Sequence, residues 1–93
     1  MITRRQRLAE YDEGILCADG FDEAIIGVAF MFSAGAVALY DRNKIIEILV
    51  TEEGMEYEDA IEHYEFNIAG GYVGEKTPVF CELFEEVDQA KEK

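Results

Sequence analysis

The chain has no Trp, one Pro and two Cys, and its lone His and lone Ser are His63 and Ser33. These shortages exclude whole classes of chemistry. A structural zinc site needs three or four nitrogen or sulfur ligands, and Cys17, Cys81 and His63 are the whole supply. They show neither C-x-x-C nor H-x-x-x-H spacing, so no metal is expected there. Both Cys sit in apolar runs and read as small buried hydrophobes. Bases are scarce as well: 8 Lys and Arg stand against 21 Asp and Glu, for a net charge of −13. Direct binding to nucleic acid or to an anionic membrane through general charge is therefore excluded, and a basic partner is favoured. The uncharged run 24–40 falls short of the roughly 20 residues that a membrane span needs. No apolar segment follows Arg4, Arg5 and Arg7 as in a secretory leader, so a reduced, cytoplasmic setting is expected.

What is present supports one folded domain over residues 1–93. Apolar residues make up 49% of the chain, too many for a disordered polymer, and a chain of this length carries a single core. Residues 1–9 and 88–93 read as frayed ends. Charge is segregated: residues 1–9 carry +3, 10–40 carry −6 and 51–65 carry −7.

The patterning predicts an α+β fold, an antiparallel β-sheet of about four strands with two helices on one face, in the order β-β-β-α-α-β. Residues 15–18 read as a short strand. Residues 24–32, apolar on both faces, read as a central one. Ser33, Ala34 and Gly35 turn the chain into a returning strand, 36–40. Asp41 is placed to cap a helix that Gly54 ends, and Ile45, Ile46, Ile48, Leu49 and Val50 give that helix an apolar arc of roughly 200°. A second helix is expected over 56–69, with Tyr57, Ile61, Tyr64 and Ile68 inward. A last strand covers 79–84, with Pro78 at its entry.

Several residues then stand out. With that inward set, Glu58, Asp59, Glu62 and Glu65 fall on the outer half of the second helix. They form either a solvated face or a docking surface for a Lys- and Arg-rich partner. Phe66 lies roughly 180° from Tyr57 on a straight helix. It marks either an interface or a helix that kinks near Glu65. Asp19, Asp22 and Glu23 are weak candidates for a divalent cation, lacking the alternating spacing of a calcium loop. The glycine-rich loop 70–74 follows a helix instead of preceding one, which disfavours phosphate binding. His63 with Ser33, Cys17 or Cys81 would be the nucleophile–base pair of a small hydrolase.

Asp19-Gly20-Phe21-Asp22, Tyr40-Asp41 and Lys44-Ile45-Ile46-Glu47, followed by Gly54-Met55, Tyr57-Glu58, Glu65-Phe66-Asn67, Tyr72-Val73-Gly74 and Thr77-Pro78, resemble a family of small acidic uncharacterised proteins encoded by bacteriophages. The resemblance spans roughly residues 19–80 and departs from the pattern over 29–37. It implies a phage origin and a location in the cytoplasm of an infected bacterium, and it assigns no catalytic residue.

The leading functional expectation is a non-enzymatic protein without cofactor. Its acidic surface would inhibit or modulate a host nucleic-acid-binding protein or defence complex that presents a basic surface. The alternatives are a homo-oligomer, such as a homodimer, that binds a small ligand between subunits, and a small hydrolase using His63.

Overall fold

A computed structural model describes residues 1–71 and 73–84. The element order is α1 (Arg4–Ala9), a 3-10 turn (Asp22–Ala24), β1 (Ile25–Met31), β2 (Gly35–Asp41), α2 (Arg42–Glu53), α3 (Tyr57–His63), a π-helical continuation (Tyr64–Ile68) and β3 (Val79–Cys81). The fold is α+β, with three helices and a three-stranded mixed sheet in the order β1-β2-β3.

The hairpin and α2 follow from local chemistry. Gly35 takes a φ of 77°, which an L side chain resists, and so lets the chain reverse into β2. The Asp41 side chain accepts the Asn43 N–H at 3.0 Å, satisfying a free donor of the first helical turn. Gly54, with φ 74°, closes the other end. The wide apolar arc of α2 is used inside the chain: Ile45, Ile46, Ile48 and Leu49 are all buried. They join Leu8, Ala24, Ile25, Ala38, Tyr40, Ala60 and Tyr64 in one core. Ala38 and Tyr40 lie two apart on β2 and therefore share its helix-covered face.

Five expectations require correction. The sheet has three described strands and is not all antiparallel. β3 runs parallel to β2, with Leu39 opposite Val79, Tyr40 opposite Phe80 and Asp41 opposite Cys81. The cause is the path of the preceding loop. Lys76 Nζ donates to the carbonyls of Ala34 at 2.6 Å and Ala36 at 3.1 Å, and to the Asp12 carboxylate at 2.6 Å. These bonds use all three ammonium protons and hold the loop at the start of β2, so the next strand must run beside β2 in the same direction. Consequently β2, and not β1, is the central strand. Residues 15–18 form no strand; Ile15, Cys17 and Ala18 pack against the core, and the Ala18 N–H bonds the Tyr40 hydroxyl at 2.7 Å. Finally, the first residues hold a helix where fraying was expected. Thr3 and Gln6 form a reciprocal capping box, and Leu8 is buried. Of the strand expected over 79–84, only Val79–Cys81 pairs, and residues 88–93 lie outside the described residues.

The Lys76 clamp leads to a pH prediction. The Lys76 ammonium, and secondly the Gly14 N–H, hold the Asp12 carboxyl below its ordinary value of 3.8. A lowered folded-state value means that the pair contributes stability above the unfolded value, and that this is lost as pH falls through the folded one. In Lys76→Met, NMR titration should show the Asp12 carboxyl moving up toward 3.8, with a smaller loss of stability on the acid side. An unmoved titration would show that Lys76 is not the cause.

Candidate functional site

α3 begins three residues after Gly54, with Glu58 and Asp59 in its first turn, where the helix dipole favours negative charge. Its inward anchors are Ala60, which brings its backbone close to α2, and Tyr64, whose ring meets Phe80 edge-on at 5.6 Å. Burial raises the Tyr64 phenol above its usual range, and the Arg42 guanidinium lies 5.5 Å over its ring. Ile61 and Ile68 are half-buried, as their spacing implied. Tyr57 is not inward: it is 62% exposed. The short α2–α3 link leaves that first turn exposed, beyond the end of α2.

After His63 the helix widens. The Ala69 N–H reaches back five residues to the Tyr64 carbonyl at 2.8 Å, the bond of a π turn. Gly70 follows where a Cβ would stand 3.1 Å from the Glu65 carbonyl, so the helix ends on a residue without one. Phe66 sits in this widened turn and is 77% exposed.

Met55, Asp59, Glu62, His63, Phe66 and Asn67 line a groove of about 390 Å³. The structure thus brings Asp59, Glu62 and Phe66 together. Glu58 and Glu65 are exposed but stand outside the groove. Met55, His63 and Asn67 were not picked out as groove residues by the sequence. The signal was there in part, since 59, 63 and 67 follow i, i+4 spacing on one helical face. The Asn67 amide lies 3.3 Å from His63 Nδ1, which ties the two together at the groove.

The electrostatics of the groove are one-sided. The ion pairs among the described residues use Asp12, Asp19, Asp22, Glu47 and Glu82. None uses Glu58, Asp59, Glu62 or Glu65. Two carboxylates without an ion-pair partner among the described residues, beside an aromatic face and a thioether, suit a lysine or arginine side chain, which can form charge-assisted hydrogen bonds and a cation–π contact.

The other candidates are placed differently. Both Asp22 carboxylate oxygens accept from Arg5 Nε, at 2.8 and 2.9 Å, and Asp19 accepts from the same guanidinium at 3.1 Å. Glu23 contributes its backbone carbonyl to Arg4. Asp22 foremost, then Asp19, raises the Arg5 pKa further, so this cluster works as an ion-pair clamp on α1. No group of three metal-ligating side chains occurs among the described residues. In the loop after α3, the Thr77 hydroxyl donates to the Gly74 carbonyl at 2.6 Å and accepts from the Val73 N–H at 2.9 Å, a closed turn. The residues lining the groove with His63 include no Ser or Cys. No described helix is long and apolar enough to cross a membrane.

No protein-family model, curated protein or solved structure matches this chain.

Proposed function

We propose that this chain is a non-enzymatic binding protein that captures a basic segment of another protein, seating a lysine or arginine side chain between Asp59 and Glu62 against Phe66. The observation that carries this reading is the groove itself, where carboxylates with no ion-pair partner among the described residues flank an exposed aromatic ring. The local charge of −7 over residues 51–65 would steer a basic partner toward it. Following the resemblance of residues 19–80, the proposal extends to a phage-encoded protein acting in the host cytoplasm. Its target would be a host nucleic-acid-binding protein or defence complex, whose Lys- and Arg-rich surface is what such a groove would occupy.

The test uses a fluorescein-labelled peptide of alternating arginine and alanine, followed by anisotropy. Binding is expected, and it should weaken steeply as salt rises from about 0.1 to about 1 M, because the screening length shrinks from about 10 to about 3 Å. Equal affinity for a serine-for-arginine peptide, or an affinity indifferent to salt, would sink the reading.

A further inference from the structure

A second groove, also of about 390 Å³, lies between α1 and the outer edge of β1. Arg4, Arg7, Leu8 and Tyr11 face it at i, i+3, i+4 and i+7 spacing, opposite Ile26 and Val28. Leu8 is buried and pins α1 in place, and the Tyr11 ring closes edge-on against Phe30 at 6.0 Å. Two needs are unmet in this groove. The first is cationic. Arg4 is bound to the carbonyls of Asp22 and Glu23. Every other Arg or Lys among the described residues likewise has a partner, except the exposed Arg7. The second is the backbone. β1 is the outermost strand, and residues 26–31 make no hydrogen bond among the described residues beyond their ladder with β2. Edge strands are ordinarily guarded by charge, proline or a cover. Residues 24–40 contain neither charge nor proline, and the one irregularity is a bulge at Ile26, which is 43% exposed.

These two needs select the occupant. A second copy pairing through β1 would satisfy the edge but would set a second net charge of −13 beside the first. A small carboxylate would satisfy Arg7 but leave the strand amides open. An extended peptide with an acidic residue satisfies both. We propose that the α1–β1 groove takes an extended acidic peptide, added as a strand to the outer edge of β1, with a carboxylate paired to Arg7. This site is separate from the α3 groove and serves partners of opposite charge.

The probe is a fluorescein-labelled peptide of alternating valine and glutamate. Anisotropy should show binding, at least tenfold weaker in Arg7→Glu and less affected in Arg7→Lys. Hydrogen exchange should show new protection of β1 amides within 26–31. Asp59→Lys/Glu62→Lys should bind this peptide undiminished, which separates the site from the α3 groove. The proposal is overturned by any of four results: Arg7→Glu binds as well as the parent; the lysine-for-glutamate peptide binds equally; decanoate displaces the peptide at matching concentration; or the peptide-free chain is a dimer with those amides already protected.

Discussion

Tyr40→Ala is expected to remove a large share of the chain's stability. Tyr40 is 0% exposed and belongs to the core that β2 shares with α2, Ala60 and Tyr64. Its ring lies 5.6 Å from Phe80 on β3, and Phe80 lies the same 5.6 Å from Tyr64 of the π turn. Truncating a buried aromatic side chain costs about 3–5 kcal/mol. Here it also strips the Ala18 N–H of its acceptor. A domain of this length holds only about 5–14 kcal/mol in total, so the substitution removes much of it. Tyr40→Phe separates the two contributions: keeping the ring and losing the hydroxyl should cost about 1–3 kcal/mol, the penalty of an unsatisfied donor. Urea denaturation followed by circular dichroism measures both. A Tyr40→Ala chain as stable as the parent would show that the Tyr40–Phe80–Tyr64 stack is not the centre of the core.

The same residue sets an alkaline limit. Burial, the largest cause, pushes the Tyr40 phenol from 10.0 up to about 12. A raised folded-state value means that the stability it represents is intact below about 10 and lost as pH climbs toward 12. That loss should shrink in Tyr40→Phe.

Asp59→Lys/Glu62→Lys/Phe66→Ala is expected to abolish capture of the arginine–alanine peptide while leaving the fold intact. A central aromatic anchor alone is worth about 2 kcal/mol or more, roughly a 30-fold loss. Reversing both groove carboxylates turns attraction into repulsion at contact distance, so the combined loss should exceed about 100-fold. The stability of the variant should hold, because Phe66 is 77% exposed and neither acid belongs to an ion pair among the described residues. Two lysines among crowded acids should, if anything, ease repulsion between neighbouring turns. The decisive comparison is Glu58→Lys/Glu65→Lys, which makes the same change in net charge outside the groove. A few-fold loss is expected there. Equal losses in the two variants would mean that the protein acts through bulk charge and that the groove is incidental.

Much of the local structure was legible because local chemistry dictates it. Asp41 and Gly54 bound α2 as their capping chemistry requires, and Gly35 turns the hairpin. The exposure of Phe66 follows from its phase on the helix, although its π turn, closed by the Ala69-to-Tyr64 bond, does not. Tyr57 was misplaced because periodicity assigns a face without knowing where the neighbouring helix ends. Residues 15–18 were misread because a short apolar segment can pack against a core without pairing to a strand.

The amino-acid sequence by itself determined the class of the fold, the boundaries of α2 and the concentration of acids on the outer side of α3. Each depends on residues within a few turns of one another. Only the tertiary structure decided that β3 runs parallel, that β1 is the outer of the described strands, and that Asp59, Glu62 and Phe66 share a groove with Met55. The direction of β3 rests on Lys76 reaching residues 40, 42 and 64 positions away. Contacts at that separation are set by how the loops close around the core, and no periodicity along the chain encodes them.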